Sequence, residues 1–255
     1  MSALVLDNVS LVRSGRDVLT GIDARFDAGR LTVVIGPNGA GKSSMLDIAS
    51  GLLQPSGGRV LLDDQPLARL SRRDLARRRA YLPQRATVDW PISVERVVAL
   101  GLTPTLPAFR DVPASFGPAI DAALEACDLL ALRDRPATSL SGGELARAML
   151  ARAIVGDPEM LIVDEPTAGL DPRHAIDAVR RLRARADAGR TVIVAIHDLQ
   201  LALRYADAIV ALKDGHLLAH GPVAQVASAA TLSELYDVEV RLSCDESGIT
   251  VAFRE

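Results

Sequence analysis

Residues 31–44 read LTVVIGPNGAGKSS, and the fold turns on this stretch. Val33, Val34 and Ile35 follow one another without polar alternation. Such a run suits a strand buried on both faces of a parallel sheet. It stops abruptly at Gly36, and Gly36-Pro37-Asn38-Gly39-Ala40-Gly41-Lys42-Ser43 then fits the G-x-x-x-x-G-K-[ST] pattern of a phosphate-binding loop. Glycines let the backbone wrap a phosphate closely, with several N–H groups turned inward. A helix is expected to begin near Lys42, its N-terminus adding positive potential. Lys42 is then expected to reach the β- and γ-phosphates of a nucleotide and the Ser43 hydroxyl to bind Mg2+, with residues 36–44, Ser44 included, forming the nucleotide cradle. A glycine-rich turn without a ligand is the plain alternative, and the strand–loop–helix context argues against it.

The same strand character returns twice further on. Met160-Leu161-Ile162-Val163-Asp164-Glu165 delivers Asp164 to the carboxyl end of a strand, where open α/β sheets bind ligands. Asp164 is a candidate Mg2+ holder, and Glu165 is placed to polarise an attacking water as general base. Residues 192–196 form the third such run, and the stretch 172–188 between them carries Ile176, Val179 and Leu182 on one helical face with arginines on the other. Strand, helix, strand is the grammar of an α/β fold.

The N-terminal part reads as short β pieces at 4–6, 9–12 and 18–19, punctuated by Asp7-Asn8 and Ser14-Gly15. Residues 87–155 differ. Helical periods at 93–100, 118–132 and 142–155 and a loop with Pro104, Pro107 and Pro113 mark a helical insertion. Near the end, Asp214-Gly215 signals one hairpin and residues 245–248 another.

Composition narrows the function. In 255 residues, 49% hydrophobic and 24% charged exclude a disordered chain. Aromatics at 3% leave few platforms for a binder that stacks nucleic-acid bases. Lys+Arg of 29 against Asp+Glu of 32 gives net charge -3, so no nucleic-acid partner is expected. Cys127 and Cys244 fit no metal spacing; Cys127 reads as a small core residue of a reduced, intracellular protein. The opening MSALVLDNVS has no basic stretch followed by an apolar run, so no signal peptide is expected. No apolar run is long enough to span a bilayer.

Leu140-Ser141-Gly142-Gly143-Glu144 completes the set. Ser141 and Glu144 form an S-x-x-E capping box, which alone only starts a helix. Two glycines in a first turn weaken a helix by roughly 1 kcal/mol each relative to Ala, so a mere cap gains nothing from them. A helix start that a phosphate must approach does gain.

With the loop at 36–43, the VDEP at 163–166 and His197, this LSGGE resembles the ATP-binding subunit of ABC transporters over essentially the whole chain. The resemblance implies an α/β P-loop NTPase (RecA-like) core with an N-terminal antiparallel β subdomain, together 1–86 and 156–255, and an inserted helical subdomain at 87–155. Gln84, in Tyr81-Leu82-Pro83-Gln84, resembles the Q-loop glutamine that reaches Mg2+ and the water and senses the membrane partner. Asp171, in Ala168-Gly169-Leu170-Asp171, resembles the D-loop residue that crosses a dimer interface. His197 resembles the switch histidine at the γ-phosphate. In that family two subunits pack head to tail, and ATP is sandwiched between the loop of one and Ser141, Gly142 and Gly143 of the other.

Three further stretches, RRRAYLPQ (77–84), WPISVERVVALG (90–101) and LSELYDVEV (232–240), resemble ATPases serving siderophore, haem or cobalamin permeases. The implied assembly is a homodimer on two integral-membrane permease subunits, fed by a periplasmic substrate-binding protein, at the cytoplasmic face of the bacterial inner membrane. A soluble non-transport ABC ATPase, such as an iron–sulfur assembly ATPase, is the alternative. A P-loop kinase acting alone would leave LSGGE and His197 without a task.

The chain also departs from the pattern. Arg13 stands near the position where many members stack adenine on an aromatic ring, Ser44 stands where Thr is common, and Glu144 replaces the more frequent Gln. Arg72-Arg73 and Arg77-Arg78-Arg79 read as a solvated helix face. His174, His216 and His220 read as surface or turn residues. Trp90 reads either as packing at the base of the helical insertion or as part of the importer signature.

Overall fold

The β-branched runs form strands and the capped periodic stretches form helices. The computed structural model describes residues 3–84, 87–106, 112–245 and 248–254. Pro107 of the proline-rich loop and Glu246-Ser247 of the second hairpin turn lie outside the described residues. In chain order the strands are β1 (Leu4–Arg13), β2 (Arg16–Phe26), β3 (Leu31–Ile35), β4 (Gly57–Leu62), β5 (Gln65–Pro66), β6 (Arg79–Leu82), β7 (Met160–Asp164), β8 (Thr191–Ala195), β9 (Ala208–Lys213), β10 (His216–Pro222), β11 (Glu239–Asp245) and β12 (Gly248–Arg254). The helices are α1 (Lys42–Ala49), α2 (Arg72–Arg78), α3 (Val94–Ala99), α4 (Gly117–Ala126), α5 (Gly142–Ile154), α6 (Pro172–Asp187), α7 (Leu199–Tyr205), α8 (Val223–Val226) and α9 (Ala229–Tyr236).

The central sheet has the order β10-β9-β3-β8-β7-β6. Strands β9, β3, β8, β7 and β6 run parallel, and β10 closes one edge antiparallel. Strands β3, β7 and β8 are buried along their whole length, so their side chains feed two apolar layers. Val33, Leu161 and Val194 join α3–α7 and the C-terminal elements on one side. Val34, Ile162 and Ile193 meet α1 and the sheet β2-β1-β4-β5 on the other. The helices α3, α4 and α5 share the first of these cores rather than forming one of their own.

Several elements differ from the sequence reading. The short N-terminal pieces are two long paired strands, because Asp7-Asn8 is a bulge rather than a break. The β1–β2 register shifts between Leu6 and Val9, and Asn8 takes φ 49°. The helix expected over 118–132 ends at Ala126. Asp128 turns left-handed at φ 52°, with its N–H donating to Glu125 O and that of Leu129 to Leu124 O, a Schellman stop. The basic cluster is only partly solvated. Arg77 donates to Pro104 O at 3.1 Å, Arg73 to Leu106 O at 3.1 Å, and Arg78 pairs with Asp63 and Glu159. Trp90 is 73% exposed, so it does not pack under the helices. Cys127 is a core residue, and burial pushes its thiol up to about 11.

Candidate active site

Four neighbouring strands of the central sheet bring the candidate residues to one edge. The glycine loop follows β3, His197 follows β8, Asp164 and Glu165 end and follow β7, and Gln84 follows β6. Since β3, β8, β7 and β6 are adjacent and parallel, all four segments leave from the same carboxyl end of the sheet.

The loop is shaped by contacts that only glycine permits. A Cβ on Gly36 would lie 2.1 Å from Leu212 O, and one on Gly41, at φ 98°, 2.6 Å from Leu19 Cδ2. Lys42 opens α1 with its ammonium folded under the loop, donating to Gly36 O at 2.8 Å and Pro37 O at 3.0 Å. Burial lowers its pKa, with Glu165 and Asp164 opposing the shift.

Asp164 is 3% exposed. Burial raises its pKa, and a hydrogen bond from Ser43 opposes this. Its Oδ1 is buried with no hydrogen-bond partner among the described residues. An orphaned carboxylate oxygen beside a serine hydroxyl fits a divalent cation, so the residues suit Mg2+. Glu165 sits at φ 49°, its N–H donating to Ala195 O at 3.1 Å. Gln84 Nε2 donates to Glu165 Oε2, and His197 Nε2 meets Glu165 Oε1. The Glu165 side chain is 12% exposed and borders a cleft of about 540 Å³ with His197 and Gln200.

The remaining candidates stand apart. Ser141 caps α5, accepting from Glu144 N at 3.3 Å while Glu144 Oε2 accepts from Ser141 N at 2.7 Å. Asp171 caps α6, accepting from His174 N at 3.0 Å and contacting His174 Nδ1 at 2.7 Å. No hydrogen bond or ion pair among the described residues joins Ser141, Gly142, Gly143 or Asp171 to the loop at 36–43.

The sequence reading missed the loop's supports. Tyr81 donates to Asp47 Oδ1 at 2.9 Å, tying α1 to the strand before Gln84. Gly215 of the β9–β10 turn donates to Ala40 O at 3.3 Å and accepts from Thr20 N at 2.9 Å. Tyr236 of α9 hydrogen-bonds the Gly36 backbone, and burial pushes its hydroxyl up to about 12. Asp47 was the one readable sign, a half-buried acid within the apolar second half of α1.

Comparison with known proteins agrees with this geometry. The family model described as ABC transporter matches residues 19–168. The hemin import ATP-binding protein HmuV of Rhodococcus jostii strain RHA1 is 41% identical over 90% of this chain and 78% of its own. The protein of the same name from Rhodopseudomonas palustris strain CGA009 is 39% identical over 96% of this chain and 92% of its own. A solved chain described as a metal-chelate type ABC transporter in an inward-facing conformation superposes with TM-score 0.84, covering 100% of this chain and 97% of that one at 21% identity, which speaks to the fold.

Proposed function

The chain belongs to the ABC transporter ATP-binding family, and on that premise we propose that it hydrolyses ATP to drive uptake of haem, or a related iron chelate or cobalamin, through a separate membrane permease. The observation that carries the reading is Glu165, held between Gln84 and His197 beside the glycine loop. The names of the relatives, both hemin import proteins, favour the importer over a soluble ABC ATPase.

The chemistry follows from the residues. The ammonium of Lys42 leaves Gly36 O and Pro37 O for the β- and γ-phosphates as ATP enters. Asp164, Ser43 and Gln84 would hold Mg2+, which neutralises phosphate charge when bound. Glu165 exchanges its contacts with Gln84 and His197 for the attacking water, which it orients and deprotonates. His197 then turns to the γ-phosphate. Gly142 and Gly143 of a second copy offer bare N–H groups to the same phosphate, Ser141 offers its hydroxyl, and Asp171 crosses between the copies.

Closure of the two copies on ATP converts binding free energy into movement of the permease. A groove of about 600 Å³ between the central sheet and the helical part supports a permease contact; it is bordered by Leu52 and Leu100, 58% and 53% exposed. The reading puts the protein on the cytoplasmic face of the membrane as a peripheral subunit, with a periplasmic binding protein beyond the permease. Among the described residues no helix is long and apolar enough to cross a membrane. Reconstitution with its permease in vesicles tests the cargo. ATP-dependent haem uptake is expected, and absence of uptake for haem, iron–siderophore and cobalamin alike would overturn the reading.

A further inference from the structure

A third cavity, of about 320 Å³, touches Gln84 and Glu165 at one end but runs on past them between the helices. It lies between the segment after β6, helix α5, the segment after β7, and helix α6. Leu82, Leu145, Leu150 and Leu170 make much of its wall. Two guanidinium groups are set among them, Arg147 from α5 and Arg181 from α6. Arg181 is satisfied, donating to Ala126 O at 2.6 Å and to Asp128. Arg147 is not: its Nε is buried with no hydrogen-bond partner among the described residues. The surrounding carboxylates are engaged elsewhere. Glu144 is bound to Ser141, Glu165 to Gln84 and His197, and Asp171 to His174.

We propose that this cavity binds a compact organic anion, an apolar body of one or two rings bearing a carboxylate. The carboxylate meets the Arg147 fork in a charge-assisted pair, and the rings lie against the leucines. Two arginines exclude a cation, and a neutral apolar guest would leave the Arg147 guanidinium without a charge partner in the cavity. The volume is at the lower end of small-molecule pockets, which limits the guest to about two rings. Leu82, Gly142 and Glu165 border the same space, so a guest holds the segments carrying Gln84, the α5 start and Glu165 at their resting spacing. That consequence, though not the site itself, rests on the proposed ATPase: anion and ATP then weaken each other's binding reciprocally.

The probe is 4-benzoylbenzoate, an aryl carboxylate that cross-links neighbouring C–H groups on illumination. Nucleotide-free protein is titrated, illuminated, digested and mapped by mass spectrometry. Saturable labelling of peptides containing Leu82 or Met149-Leu150, at one probe per chain, is the expected result. Arg147→Met weakens it about tenfold or more, the loss of one charge-assisted hydrogen bond. Ala146→Phe, which narrows the cavity from its lining, lowers it as well. Thermal unfolding checks both variants, and if either fails to fold, the wild-type labelling pattern decides. Labelling that does not saturate, that maps elsewhere, or that persists unchanged in folded Arg147→Met overturns the proposal. Because no nucleotide is present, that failure leaves the ATPase reading standing, and failure of the ATPase reading leaves the labelling result intact.

Discussion

The proposed mechanism concentrates its chemistry into one carboxylate, Glu165. This residue is left-handed at φ 49° and held from both sides by Gln84 and His197, a poised arrangement rather than a random acidic pair. Glu165→Gln keeps the shape and removes the base, so hydrolysis should fall on the order of 10²–10⁴-fold while ATP binding survives, measured by phosphate release beside equilibrium binding. Lys42→Ala should instead weaken binding itself; normal ATP affinity in that variant would remove the loop assignment. At Gly36 there is no room for even a methyl, 2.1 Å from Leu212 O. Gly36→Ala therefore displaces the loop or the β9 backbone, and loss of ATP affinity with a lowered unfolding temperature is the expected outcome. Lys42, Ser43 and Asp164 were legible because spacing on a strand–loop–helix unit encodes them. Gln84 and His197 were legible only through family likeness, since a lone glutamine or histidine after a strand carries no chemistry of its own.

Helix α5 shows what an element adds. Its start is a full capping box, with Ser141 and Glu144 each accepting from the other's backbone N–H. Ser141→Ala should cost about 1 kcal/mol of stability, read from denaturant unfolding. The Ser141 backbone N–H, with its hydroxyl assisting, holds the Glu144 carboxyl below the usual carboxylate range. A depressed carboxyl stabilises fully above its unfolded pKa and ceases to do so as pH falls through the folded one. The stability gap between wild type and Glu144→Ala should therefore shrink as pH drops below the ordinary carboxylate range, and a gap that grows on acidification would refute the capping role. Helix ends were the least legible feature. Nothing local told that Asp128 would turn left-handed and stop α4, or that Asn8 would absorb a bulge and let β1 continue, because tertiary packing selects both conformations.

The whole molecule joins these parts through long-range supports that no window of sequence contains. Gly215 braces the glycine loop from a hairpin 175 residues after Ala40 (215 − 40), and Tyr236 reaches Gly36 from α9. The order β3-β8-β7-β6 then lines up the loop, His197, Glu165 and Gln84. Class and sheet character followed from apolar runs; strand order and bracing depend on contacts between distant segments, so they emerged only in three dimensions. Within one copy, Ser141 and its glycines stay unconnected to the loop at 36–43, and the proposed site is completed by a second copy. Sedimentation of Glu165→Gln with Mg-ATP tests this most directly. The account predicts a species of twice the protomer mass retaining two nucleotides, and a single protomer at every concentration, alone and with the permease, would contradict it.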